Sequence, residues 1–135
     1  MKTYEKGAIG EHKVVADLIC QGYRVSKPLM ESMPYDLIVS KKNYFYTVQV
    51  KYVSRVKNHI ETTPRRIRGR NGKKEKNIEF DILAIYCPET NDCYYIWSSD
   101  FKSSIRLRFG KTKNNQDKGV NYAEDYLKLC IPKNN

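Results

Sequence analysis

The chain predicts an α/β or α+β fold: one domain in which a central mixed β-sheet is flanked by helices. Residues 6–21 space Ile9, Val14, Val15, Leu18 and Ile19 at helical intervals. The stretch YFYTVQVKYV, residues 44–53, instead alternates with period two, as a strand with two unlike faces does. The run FDILAIYC, residues 80–87, is apolar almost throughout, the pattern of an interior strand. A length of 135 residues suits one core and not two.

The helix over 6–21 should stop at QGY, with Gly22 in the left-handed cap position. A short strand YRVS follows, then a loop KPLMESMP and a strand YDLIV from Tyr35 to Val39. The SKKN turn joins that strand to 44–53 as a hairpin. HIETT reads as a short strand, and residues 64–76, PRRIRGRNGKKEK, as a mobile basic loop with two glycines and no apolar face. FDILAIYC and CYYIW form a second hairpin around PETND. Ser98, Ser99 and Asp100 look like N-cap chemistry for a short helix reaching Ser104. IRLRF alternates apolar and basic residues, as a strand with one wet side does, and NYAEDYLKLC reads as a last helix or an irregular docking segment.

Charge narrows the partner. Lysine and arginine number 25 against 15 acids, a net charge of +10, which favours a polyanion. The basic loop concentrates Arg65, Arg66, Arg68, Arg70, Lys73, Lys74 and Lys76, and a thinner cluster at 110–119 includes Lys111 and Lys113. With Arg106 and Arg108 on IRLRF, these are the expected contacts to double-stranded DNA. No run approaches the ~18 apolar residues of a membrane span, and MKTYEKGAIGEHK lacks the apolar core of a signal peptide, so the expected setting is the reducing cytoplasm. Cys20, Cys87, Cys93 and Cys130 have no metal-type spacing and read as buried thiols; Cys87 and Cys93 flank a turn that could bring them face to face across a hairpin, where a reducing compartment would keep them unbonded. His12 and His59 stand alone and read as packed or solvated residues.

The strand 44–53 carries an oddity. Tyr46, Val48, Val50 and Tyr52 share one face, so Phe45, Thr47, Gln49 and Lys51 share the other, which ends on an amide and an amine. Glu11 falls on the helix stripe of Val14, Val15 and Leu18, where a carboxylate needs a partner. If 35–39 pairs with 44–53, Asp36 arrives beside Gln49 and Lys51. Two carboxylates, an amide oxygen and the Val50 carbonyl are hard donors suited to Mg²⁺, and a lysine beside such an ion is the equipment of phosphodiester hydrolysis. The same residues are compatible with a plain Glu11–Lys51 ion pair and with Asp36 capping a turn.

GAIGEHKVVADLICQGY, PYDLIV and YTVQVKYV, in that order, resemble the PD-(D/E)xK nuclease superfamily, most closely its homing endonucleases encoded within group I introns. The similarity runs from about Lys6 to Trp97 and includes FDILAIYCPETNDCYYI. It implies a restriction-endonuclease-like core and a Mg²⁺- or Mn²⁺-dependent enzyme that makes a double-strand break at a specific site. It implies a metal-binding helix acid at Glu11, the principal metal ligand at Asp36, and at Lys51 the lysine that serves the attacking water. Gln49 occupies the position where most members carry an acid, and Pro34 precedes Asp36 by two positions instead of one. No helix is evident between Val53 and Phe80, where many members have one. Two strands are to be cut, so a homo-oligomer, dimer or tetramer, is expected. A Holliday junction resolvase and a non-catalytic nucleic-acid-binding module are the alternatives.

Overall fold

A computed structural model of the chain describes residues 1–64, 67, 68, 74, 75, 78–111 and 118–131, with residues 67, 68, 74 and 75 described in backbone only. A helix, α1 (Thr3–Cys20), opens it, three residues before the expected start at residue 6. Its end is a Schellman cap: Gly22 at φ 95° lets its own N–H reach the Ile19 carbonyl and the Tyr23 N–H reach that of Leu18. The buried stripe is Gly10, Val14 and Leu18; Ile19, expected on it, is 56% exposed because it points one step around the helix.

Five strands form the main sheet, β1 (Arg24–Ser26), β2 (Leu37–Lys41), β3 (Tyr44–Tyr52), β7 (Ile82–Cys87) and β8 (Asp92–Trp97), in the order β1-β2-β3-β7-β8. All neighbours are antiparallel except β3 and β7, so the sheet is mixed as expected. The β2–β3 hairpin closes through Lys42 and Asn43, with Lys42 at φ 56°, the positive φ that a tight hairpin turn demands. Because β3 and β7 are parallel, the chain between them must cross over. That crossover carries β4 (His59–Thr62), β5 (Ile67–Arg68) and β6 (Lys74–Glu75), with no helix among its described residues. β5 and β6 pair as an antiparallel ribbon, so the stretch expected as an unstructured basic loop is a hairpin at those positions.

Two cores follow from the period-two faces of the sheet. On one side α1 packs Val14 and Leu18 onto Val39, Val48, Ile82 and Ala84. On the other, Leu83, Ile85 and Ile96 are covered by Ile60, Ile105 and Leu107 of a small sheet in which β4 pairs with β9 (Ile105–Arg108). Among the described residues, a helix covers one face of the central sheet and a second sheet covers the other. A short 3-10 turn, Ser98–Asp100, capped by no side chain, stands where the short helix was expected, and of the two forms expected for the C-terminal stretch the irregular one is found, with a second 3-10 turn at Ala123–Tyr126. The C-terminal segment docks irregularly: Gln21 donates to the Leu127 carbonyl and accepts from the Leu129 N–H, and Trp97 donates to the Cys130 carbonyl.

Cys87 and Cys93 do not face each other. Tyr86 stands opposite Cys93 and Cys87 opposite Asp92, so the two thiols lie in different cores. Both are buried, while Cys20 and Cys130 are exposed, against the expectation of four buried thiols.

The parallel pair begins with a reciprocal clip. The Asp81 carboxylate accepts from the Thr47 N–H at 2.9 Å and from its hydroxyl at 3.2 Å, while the Asp81 N–H donates back to Thr47. Asp81→Ala leaves a half-buried N–H without its acceptor and should cost about 1–3 kcal/mol. Urea unfolding monitored by circular dichroism reads this as a lower midpoint at unchanged slope.

Candidate active site

The site forms where β2 begins and β3 runs on past it. Leu37 pairs with Val48, so Asp36, one residue earlier, lies opposite Gln49. Its backbone N–H donates to the Val48 carbonyl at 2.8 Å, and its Oδ2 accepts from the Val50 N–H at 2.8 Å. The carboxylate thus occupies the place that the next β2 carbonyl would have taken. A strand residue aims its N–H and C=O to the same edge, so the Val50 carbonyl also faces the Asp36 side, where β2 has ended. Gln49 and Lys51 stand on the face opposite α1, half-buried, and neither side chain makes a hydrogen bond or ion pair among the described residues.

Glu11 arrives from the other layer. Gly10 is buried against β3 so closely that an added Cβ would lie 3.4 Å from Val50 Cγ1 and 3.6 Å from Tyr52 Cβ. The close approach brings the following residue, Glu11, to the sheet edge beside Asp36. Both carboxylates line one cavity of about 330 Å³, walled by Lys27 and the loop Pro28–Met33 with Tyr35. Leu29 and Met30 on that loop are fully and largely exposed. Glu11 Oε1 is shielded from solvent and takes no hydrogen bond; Lys27 Nζ stands 3.0 Å from it.

Burial holds the Asp36 carboxyl above the usual aspartate range. The Val50 N–H opposes that shift, the Glu11 charge adds to it, and the Lys51 and Lys27 ammonium groups oppose it. Asp36 therefore feels Glu11, Lys27 and Lys51, which lie on separate segments of the chain. No three His, Cys, Asp or Glu side chains cluster in metal-binding fashion among the described residues. A divalent ion here would have two carboxylates, one with an oxygen lacking a hydrogen-bond donor, plus the Gln49 amide oxygen and the Val50 carbonyl. That hard, all-oxygen set fits Mg²⁺ or Mn²⁺.

The expected DNA contacts are less evenly placed. Arg65, Arg66, Arg70, Lys73, Lys76 and Lys113 lie outside the described residues, and Arg68 and Lys74 are fixed in backbone only, on β5 and β6. Arg106 is exposed but meets local partners, Glu61 at 3.5 Å and His59 Nε2 at 3.0 Å. Arg108 is half-buried, its Nη2 donating to the Lys111 carbonyl at 3.4 Å, and Lys111 itself is exposed. His59 is accordingly part of a basic surface pair, and His12 is held by the Ala8 carbonyl at 2.7 Å. Sequence reasoning missed Lys27; its position before Pro28, which keeps a residue extended at the end of a strand, was the available signal.

A sheet edge that sets a half-buried aspartate against an E/Q-x-K strand, with a helix-borne acid beside it, defines a nuclease-type core. The chain matches the PD-(D/E)XK endonuclease family over residues 1–129 and belongs to it. Among solved structures it is similar to a bacterial homing endonuclease, I-Ssp6803I, with a TM-score of 0.68 at 22% identity, covering 93% of this chain and 88% of that one. It is also similar, more distantly, to Hjc, a Holliday junction resolvase from Archaeoglobus fulgidus, with a TM-score of 0.45 at 9% identity over 84% of this chain and 97% of that one. No curated protein matches it. No described helix is long and apolar enough to cross a membrane.

Proposed function

We propose that this chain is a Mg²⁺- or Mn²⁺-dependent DNA endonuclease that cuts both strands of a specific duplex site, of the intron-encoded homing type, and acts as a homo-oligomer. The observation that carries the reading is the lock on Asp36, which is bonded to the Val50 N–H, lies opposite Gln49 and shares a cavity with the donor-poor Glu11 oxygen. When bound, a divalent ion supplies charge neutralisation at the phosphodiester and a more acidic water. Asp36 and Glu11 hold that ion, with the Gln49 amide oxygen and the Val50 carbonyl completing the protein donors.

Lys51 stands two positions beyond Gln49 on the same face. From there its ammonium orients the attacking water and offsets the charge that develops on the phosphorus oxygens. A net charge of +10 draws duplex DNA to the chain, and Arg106, Arg108, Lys111 and the basic hairpin supply phosphate contacts. Two copies on opposite strands produce the double-strand break.

Purified protein should cut duplex DNA containing its site in Mg²⁺ or Mn²⁺, and excess EDTA should abolish the cleavage. Cutting of four-way junctions alone, with linear duplex intact, would replace this reading with a resolvase. Tight DNA binding without cleavage in either ion would replace it with a binding module.

A further inference from the structure

The Glu11–Lys27 pair is built unlike a structural ion pair. The carboxylate oxygen is shielded and accepts no hydrogen bond, whereas the Lys27 side chain is 69% exposed and that of Glu11 only 26%. A shielded anion without donors is costly, so some cation has to stand beside it. Lys27, with Nζ 3.0 Å from Oε1, meets that need. Its backbone is restrained by Pro28, which disfavours the helical region for the preceding residue, while its four-carbon stem is free to swing. Both residues also line the groove of about 260 Å³ between α1 and β1, and the largely exposed Lys27 side chain lets the ammonium swing out into solvent.

We infer that Lys27 is a placeholder cation for the candidate metal site, holding the Glu11 carboxylate in the metal-free chain and being displaced when a divalent ion binds. This rests on the metal-site reading given above. The geometry makes the two cations competitors: the oxygen 3.0 Å from Lys27 Nζ is one of two carboxylate groups available to the ion. The ammonium keeps two carboxylates that line one cavity from facing each other uncompensated. Its removal should therefore favour the ion, opposite to what loss of a supporting residue does.

Calorimetric titration of the intact chain with Mn²⁺ tests this. Lys27→Met should bind Mn²⁺ roughly three- to fivefold more tightly than the wild type, the scale of an exposed ion pair. Lys27→Arg should stay near the wild type, and Lys27→Gln provides a second neutral variant with the same expectation as Lys27→Met. In a Glu11→Gln background the Lys27→Met change should vanish, because there is no longer an anion to compete for. Equal or weaker Mn²⁺ binding by both neutral variants, in a chain that still binds the ion and cuts DNA, overturns the placeholder role and leaves the nuclease reading standing. A wild-type chain that binds no Mn²⁺ removes both.

Discussion

Asp36→Asn should abolish cleavage while raising the melting temperature of the metal-free protein. The substitution keeps the shape and an oxygen able to accept from the Val50 N–H, so the β2–β3 junction is preserved. What it removes is charge. Burial, reinforced by Glu11, holds the Asp36 pKa above its ordinary value of 3.8. An acid whose folded pKa exceeds its unfolded one contributes stability that is complete below the unfolded pKa and lost as pH rises through the folded pKa. At neutral pH the ionised Asp36 is therefore a burden on the fold, and the neutral amide relieves it. If Asp36 is the principal metal ligand proposed above, the same change forfeits several kcal/mol of catalysis, about a thousandfold or more in rate. Differential scanning calorimetry without metal, set beside single-turnover cleavage, separates the two effects. A lower melting temperature would mean the carboxylate is a structural cap, and retained cleavage would remove it from the metal site.

The parts of the fold legible in the sequence were those in which a single period decides. The 44–53 alternation separates two sets of side chains, and β3 obeys it, with Val48 buried toward the helix and Gln49 and Lys51 on the other face. Gly22 marks the helix end because only a left-handed residue closes the Schellman bonds. What escaped depends on long-range pairing. IRLRF reads correctly as a strand with a wet side, but nothing local states that its partner is HIET and that the pair roofs the second core. Likewise a four-residue link between Cys87 and Asp92 fixes the register that sends the two hairpin cysteines to opposite faces, a detail finer than the presence of a turn.

The candidate site was legible for a related reason. Asp36, Gln49 and Lys51 belong to one hairpin, so their meeting requires only a two-residue turn and the pleat. Glu11 was read as a stripe residue, yet the buried stripe is Gly10, Val14 and Leu18, and Glu11 sits at its margin, turned toward the sheet edge. That displacement is what lets it reach the Asp36 cavity instead of the core. Lys27 and Asp81 escaped because each acts through a partner distant in sequence, Glu11 for one and Thr47 for the other, and a lone charge in a loop carries no period.

Lys51→Met and Gln49→Glu should have opposite outcomes although the two positions are neighbours on one strand face. Methionine keeps most of the half-buried lysine stem and loses only the ammonium, so the fold should hold while single-turnover cleavage falls about a hundred- to ten-thousandfold, the usual range for a group that handles a proton in the transition state. Glutamate at position 49 keeps an oxygen donor at the same reach and adds a charge to a site that has only two acids. Cleavage should persist, with tighter Mg²⁺ binding and an altered preference between Mg²⁺ and Mn²⁺. Should Gln49→Glu fold normally and cut nothing, the neutral amide has a role that an acid cannot fill, such as donating its N–H to the phosphodiester. Full activity in Lys51→Met would instead assign the proton-handling step to another group and leave Lys51 as the cation that offsets the two carboxylates.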